Sequence, residues 1–187
     1  MIVLAPGALA PSFLLPSIDG PLHTLEAHRG RRVLLAFLRN ARCAVCNLWV
    51  RQTARRAAAW REAGLDVIVV FESTPEALRA QFAEWAPPFV VLADADGRVH
   101  DAFGSRSDAA RVREVVQSGA GAAALARAEA EGIAVVHEDG ANFFRLPAEV
   151  LVERDGTIAR LHVAEDVANH LDPAEIDAFA RLAAAPV

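Results

Sequence analysis

Two cysteines are the only thiols in this 187-residue chain, and they stand close together as Cys43-Ala44-Val45-Cys46. A thiol must ionise before it attacks a disulfide, a peroxide or a metal, so the useful question is what would stabilise a thiolate here. An unbroken apolar run, Val33 to Leu38, ends just before the pair, and a stretch rich in Ala, Arg and Leu follows from about Ala44 to Ala63. That order predicts a strand-to-helix junction. The first turn of a helix presents unpaired N–H groups and a positive dipole end, and both favour a thiolate. Arg39 and Arg42 lie just upstream and add positive charge. The two-residue spacer puts the second sulfur within one helical turn of the first, so the pair can close a small disulfide ring. This is the description of a redox-active pair. Two blander readings compete with it. A zinc half-site needs two more ligands, and His23, His28, His100, His137, His162 and His170 are scattered without paired ligand spacing. Two buried cysteines can also be small apolar fillers, which leaves their shared place at the junction a coincidence.

The elements that must position this pair are legible from periodicity and punctuation. Phe13-Leu14-Leu15-Pro16 reads as a short extended piece, Ser17 to Gly20 as a turn, and Leu22 to Leu25 as a strand pairing back. The continuous apolarity of Val33 to Leu38 predicts a central strand covered on both faces. The helix that follows is stopped by Gly64. Asp66 to Phe71 is a second buried strand. Ser73-Thr74-Pro75-Glu76 opens a helix expected to reach about Trp85, where Pro87-Pro88 ends it. Phe89 to Ala93 is a third strand, and Asp94-Ala95-Asp96-Gly97 a turn leading to a corner at Phe103-Gly104. Residues 108–131 read as helical with a break near Gly119 and Gly121. Glu149 to Glu153 and Ile158 to Val163 form a hairpin, and a last helix runs from Asp172-Pro173 to about Ala184. Strands alternating with helices imply a mostly parallel sheet, to which the late hairpin adds antiparallel strands. There is no internal repeat and no linker, so a single α/β domain over 1–187 is expected. Pro147 stands just ahead of the hairpin, in a segment that this order brings beside the cysteines. A cis bond there would leave a backbone edge exposed for a disulfide substrate; an ordinary trans proline at the start of a strand is the alternative.

Composition narrows the classes. Hydrophobic residues make up 53% and charged residues 23%, enough for a core and incompatible with general disorder. The formal charge of -5 provides no basic field to neutralise phosphates, so no nucleic-acid partner is expected. All 19 basic residues are arginine, which excludes Schiff-base chemistry on a lysine. No apolar run approaches the roughly 20 residues that span a bilayer. The run Met1 to Ala5 is short, lacks a positive flank and meets Pro6, Pro11 and Pro16, a poor signal peptide. A cytoplasmic protein without membrane contact is the expectation. Asp94, Asp96 and Asp101 read as turn residues, lacking the further bidentate acid of a calcium loop. Trp49 and Trp60 should pack, Trp85 should lie near the surface, and Glu129, Glu131, Glu138 and Asp139 should be solvated.

Several segments together resemble the thioredoxin-fold redoxins, in particular the AhpC/TSA peroxiredoxin-like group. They are Ala10-Pro11-Ser12-Phe13-x-Leu15, Asp19-Gly20, Leu25, Gly30 to Phe37, Cys43-x-x-Cys46, Phe89 to Asp94, Val150-Leu151-Val152 and Asp155-Gly156. The match covers most of the chain and weakens over residues 105–145. It implies a thioredoxin-like α/β fold, a central mixed β-sheet flanked by helices, in a peroxiredoxin-like variant with an N-terminal extension and a helical insertion at about 105–145. The departures bear on activity. Peroxiredoxins carry a Pro in the loop after the first strand, then a Thr three residues before the peroxidatic Cys. Cys46 falls at that Cys, Arg39 at the Pro and Cys43 at the Thr, while the family's later Arg falls near Pro147, with Arg145 two residues away. A peroxidatic site works through donors that polarise the O–O bond, and here three of its four usual pieces are replaced.

The resemblance therefore implies two activities. In thiol–disulfide exchange, Cys43 attacks a disulfide and Cys46 resolves the mixed disulfide. In a thiol peroxidase, Cys46 attacks hydrogen peroxide or an alkyl hydroperoxide, becomes a sulfenic acid and condenses with Cys43, with Arg39, Arg42 and Arg145 as donors. A non-catalytic thioredoxin-fold binding module is the third reading. The implied partners are protein or small-molecule disulfides or hydroperoxides, an external thiol reductant and a second copy of the chain in a homodimer; no cofactor and no metal are called for.

Overall fold

A computed structural model describes residues 4–117, 119–136 and 140–182. The readings made above for Met1 to Val3, His137, Glu138, Asp139 and the helix end at Ala184 lie outside the described residues. In chain order the elements are β1 (Leu15–Pro16), β2 (Leu22–His23), β3 (Arg32–Leu38), α1 (Ala44–Glu62), β4 (Leu65–Phe71), α2 (Pro75–Gln81), β5 (Val90–Ala93) and α3 (Arg98–Ala102). They continue with α4 (Ala109–Gln117), α5 (Gly119–Ala130), β6 (Ala148–Val152), β7 (Ile158–Val163) and α6 (Pro173–Arg181).

The main sheet has five strands in the order β5-β4-β3-β6-β7. β3 and β4 are parallel, as are β4 and β5, while β6 runs antiparallel to both β3 and β7. This is the mixed sheet expected from βαβαβ followed by a hairpin. All seven residues of β3 are buried, which is why its apolarity does not alternate. Leu34, Ala36 and Leu38 point to the layer that holds Val50 and Trp60 of α1 and Ile176 and Phe179 of α6. Val33, Leu35 and Phe37 point to the opposite layer with Phe13, Phe103 and Val150. The period of two along the strand thus splits the core into two packed faces. Trp49 and Trp60 are buried as expected, Trp60 donating from Nε1 to Asp177 at 2.7 Å, and Trp85 is 41% exposed.

Two local differences have physical causes. α2 stops at Gln81 because Phe82 turns out of the helix and buries its ring 5.9 Å from that of Phe71. The turn at Asp94 to Gly97 leads into the short helix α3, which periodicity does not show. It is closed by Asp94, whose carboxylate accepts from the His100 N–H at 2.8 Å and lies 2.7 Å from His100 Nδ1. His100 is fully buried, and its Nε2 reaches the Leu38 carbonyl at 2.9 Å, tying α3 to the end of β3. The helical insertion is two helices, α4 and α5, separated at the expected place.

A second buried charge cluster braces the same end of the sheet. Arg145 donates from Nε to Glu72 at 2.7 Å, and from Nη1 to Asp101 at 2.6 Å and to the Ser105 carbonyl at 2.9 Å. Gly97 is where the cluster needs a missing side chain: its φ is +69°, and a Cβ there would stand 2.5 Å from Arg145 Nη2 and 2.7 Å from Glu72 Oε1.

Removing one partner of a buried ion pair strands the other charge, so Arg145→Met is expected to lower the unfolding free energy by about 3 kcal/mol in urea titrations. Burial pulls the Asp94 carboxyl up, but the hydrogen bonds from the His100 ring and backbone, the His100 charge and the Val99 N–H outweigh it, leaving the carboxyl below its usual range. A depressed folded-state carboxyl stabilises the fold above its unfolded value of about 3.9 and loses that contribution as pH falls through the folded value. Asp94→Asn is therefore expected to be less stable than the wild type at neutral pH, with the gap narrowing in the same titrations near pH 3.

Candidate active site

At Leu38 the chain leaves the sheet and enters the loop that carries both cysteines. The loop is held from several sides. The Glu72 N–H donates to the Arg39 carbonyl at 2.8 Å, and the Cys43 N–H to the Asn40 carbonyl at 3.1 Å. The Ala41 N–H donates to Ser73 Oγ at 2.9 Å. Asn47, one residue past the second cysteine, donates from Nδ2 to the carbonyls of Ala41 at 2.8 Å and Cys43 at 2.9 Å. Gln81 of α2 in turn donates to Asn47 Oδ1 at 3.3 Å.

Cys43 is the N-cap of α1, with extended backbone angles, and its sulfur accepts from the Cys46 N–H at 3.2 Å. Sulfur stands where Ser, Thr, Asp or Asn usually supplies an oxygen. Arg39 adds a second donor, Nη2 to Cys43 Sγ at 3.3 Å, while its Nη1 donates to the Phe143 carbonyl at 2.8 Å. The same guanidinium lies 4.6 Å from the centre of the Phe143 ring. Burial pulls the Arg39 pKa down to about 10, which leaves it charged at neutral pH. Cys43 and Cys46 are joined as a disulfide, with Cα atoms 5.2 Å apart. Both are buried, Cys43 at 4% exposure and Cys46 at 1%. Only Cys43 faces open space. It lines a cavity of about 220 Å³ together with Arg39, Arg42, Leu125 of α5, and Val135, Val136, Ala141 and Phe143, whereas Cys46 does not reach it.

The structure thus brings together Cys43, Cys46 and Arg39, with the exposed Arg42 on the wall of the same cavity. It does not bring Arg145 or Pro147 to that cavity. The Arg145 guanidinium is committed to Glu72, Asp101 and the Ser105 carbonyl. The cis form considered for Pro147 is not found, since every described peptide bond is trans. Nor is the neighbouring backbone edge open. The Leu146 N–H donates to the Arg106 carbonyl at 2.8 Å, its carbonyl accepts from Ser105 Oγ at 2.7 Å, and the Pro147 carbonyl accepts from the Ala164 N–H at 3.0 Å. The expected docking edge is already used by residues 105–107 and by the end of β7. The described histidines lie elsewhere: His23 against His28, His100 on Asp94, His162 at the Asn169 carbonyl, and His170 against Trp49 and Glu149.

Two contributors to the site escaped the sequence. Asn47 carried a weak signal, a poor helix former in the first turn of a helix otherwise rich in Ala and Arg. Phe143 carried none beyond an aromatic pair, Phe143-Phe144, inside the stretch where the sequence resemblance weakens. Its position follows from the path of the insertion.

Residues 6–161 match the AhpC/TSA family. Peroxiredoxin Bcp of Escherichia coli strain K12 is 33% identical over 102 residues, spanning 54% of this chain and 65% of that protein. Among solved structures, peroxidoxin BcpB of Mycobacterium tuberculosis superposes with a TM-score of 0.68 at 14% identity, covering 96% of this chain and 97% of that one. A chain described as a thiol:disulfide interchange protein DsbE, from Chlorobium tepidum, gives 0.60 at 20% identity, covering 94% and 93%. At such identities the structures speak to fold alone, and both agree with a mixed sheet of thioredoxin type. With its match running from Pro6 to Leu161 over that fold, the chain belongs to the AhpC/TSA family of thioredoxin-fold oxidoreductases.

Proposed function

We propose that this protein is a thiol–disulfide oxidoreductase in which Cys43 is the nucleophile and Cys46 the resolving thiol. The observation that carries the reading is the environment of one sulfur: Cys43 Sγ has the Arg39 guanidinium and the Cys46 N–H as donors and faces the cavity. Once the pair is reduced, a thiolate at Cys43 sits at the positive end of α1 and receives one charge-assisted hydrogen bond. Cys46 has no such donor among the described residues and is shut away from the cavity.

The Cys43 thiolate attacks one sulfur of a substrate R–S–S–R′, forming Cys43–S–S–R and releasing R′S⁻. Cys46 loses its proton to the departing thiolate or to water and attacks the Cys43 sulfur, releasing RS⁻ and closing Cys43–S–S–Cys46. The substrate has gained two electrons and the protein has lost two. An external dithiol then reduces the pair by the same exchange in reverse order.

The second reading, a thiol peroxidase working through Cys46, is supported by a relative named as a peroxiredoxin. Against it stand the burial of Cys46 and the engagement of Arg145 by Glu72 and Asp101. A peroxide would have to reach a sulfur that the cavity does not touch.

Free-thiol counts after mixing reduced protein with bis(2-hydroxyethyl) disulfide or with hydrogen peroxide separate the two readings. Rapid loss of thiols to the disulfide is expected in the wild type, with no reaction in Cys43→Ser and an accumulating mixed disulfide, visible by mass, in Cys46→Ser. Peroxide consumption that survives Cys43→Ser and disappears in Cys46→Ser would establish the peroxidase instead. Inertness to both oxidants would leave the binding module. Arg39→Met is expected to move the midpoint of Cys43 alkylation toward the value of a free thiol, about 8.5. Exchange at neutral pH should then slow by about tenfold, and addition of base should recover it.

A further inference from the structure

The cavity beside Cys43 is wider than exchange chemistry alone requires, and its walls say what it is shaped to take. Ala44 and Val45 of α1, Leu125 of α5, and Val135, Val136 and Phe143 of the following loop make it largely apolar. It opens at its rim, where Val135 is 57% exposed, Val136 46% and Phe143 38%. Its polar lining, Arg39, Asn40 and Arg42, comes from the residues just ahead of Cys43. Arg39, only 8% exposed, keeps its Nε without a hydrogen-bond partner, although Nη1 and Nη2 are both used. Its guanidinium lies 3.3 Å from the Cys43 sulfur and lines the cavity, so an anion beside an attacked sulfur meets a buried positive charge that water screens weakly. A cavity of about 150 Å³ holds one benzene, so the 220 Å³ here takes roughly nine to ten non-hydrogen atoms.

We infer that the substrate of Cys43 is a small disulfide with an apolar arm that fills this cavity and a carboxylate next to its sulfur that pairs with Arg39. The inference rests on the exchange reading above and adds to it a substrate class. The arm enters past Val135 and Phe143, its sulfur meets Cys43, and the adjacent carboxylate lies against the positive charge of Arg39. The bonds made and broken are those of the exchange already written, R being the apolar arm in the mixed disulfide. A peptide-sized arm finds no room there. The insertion, through α5 and the loop after it, is then the part of the chain that chooses the substrate.

Positional isomers test the inference. 2,2′-Dithiodibenzoate and 4,4′-dithiodibenzoate carry the same aromatic arm, with the carboxylate beside the sulfur in the first and across the ring in the second; bis(2-hydroxyethyl) disulfide has no apolar arm. Rates of oxidation of the reduced protein are measured by stopped flow and divided by the rates with 2-mercaptoethanol, which removes intrinsic reactivity. The normalised rate for the 2,2′ isomer is expected to exceed the other two by at least about tenfold, the scale on which apolar pockets and single polar contacts discriminate. Val135→Asp places a negative charge on an exposed rim position without touching the core. It should slow the 2,2′ isomer by about fivefold or more relative to the hydroxyethyl disulfide measured on the same variant. Equal normalised rates, or a Val135→Asp protein that handles the 2,2′ isomer like the wild type, overturn the inference and leave the exchange reading standing. Failure of all three disulfides to oxidise Cys43 overturns the exchange reading itself, and the inference with it.

Discussion

The contact between the Arg39 guanidinium and the Cys43 sulfur is the interaction on which the site depends. It sets a buried positive charge against a sulfur that also caps a helix, so the donors that stabilise a thiolate are in place before any substrate arrives. Desolvation lowers the Arg39 pKa to about 10 and yet leaves the charge on at neutral pH. A lysine in that setting would be far easier to neutralise, and the chain has no lysine anywhere. The planar fork of arginine also allows one group to hold the sulfur and the Phe143 carbonyl at once, which couples the catalytic loop to the insertion.

Much of the surrounding structure keeps that contact in register. Glu72, at the end of β4, donates its N–H to the Arg39 carbonyl and receives Arg145 on its carboxylate, so an ion pair remote from the sulfur fixes the backbone of the residue that touches it. His100 and Asp94 pin the carbonyl of Leu38, one residue earlier, from the opposite face. Asn47 straps the loop from the helix side. Three polar devices buried around a few residues of loop are an expensive way to stabilise a protein, and each is worth having only when geometry matters more than stability.

The two cysteines occupy a position where the family pattern has one cysteine and a threonine, and the difference redistributes roles. A hydroxyl at position 43 would cap α1 and hand a donor to Cys46. A sulfur there caps the helix and takes the donors for itself. Arg145, a donor candidate for peroxide chemistry by its place in the chain, is instead a brace beneath the loop. Among the described residues, the polar donors and the apolar cavity face the Cys43 sulfur, and no donor reaches the Cys46 sulfur.

How much of this was legible in the sequence follows from the range of the forces involved. The buried strands, the long helix with its cysteines at the first turn and the closing hairpin rest on local periodicity and punctuation, and they sit within a few residues of their expected places. The cysteine pair at the head of the helix was legible too, because a sulfur spacing and a helix N-terminus are properties of neighbouring residues. What the chain could not disclose locally is which distant groups meet. Arg145 and Arg39 are both arginines close to the expected site, yet one is claimed by Glu72 and Asp101 and the other by Cys43, and only the packing of β4, α3 and the insertion distributes them. Pro147 lost its expected edge because residues 105–107 already occupy the neighbouring backbone. Phe143 and Val135 reach the cavity only through the path of the insertion, where the sequence resemblance is weakest. Local patterning determined that this protein carries a thiol pair at the head of a helix in an α/β sheet; long-range burial and hydrogen bonding decided which sulfur is served by donors and what faces it.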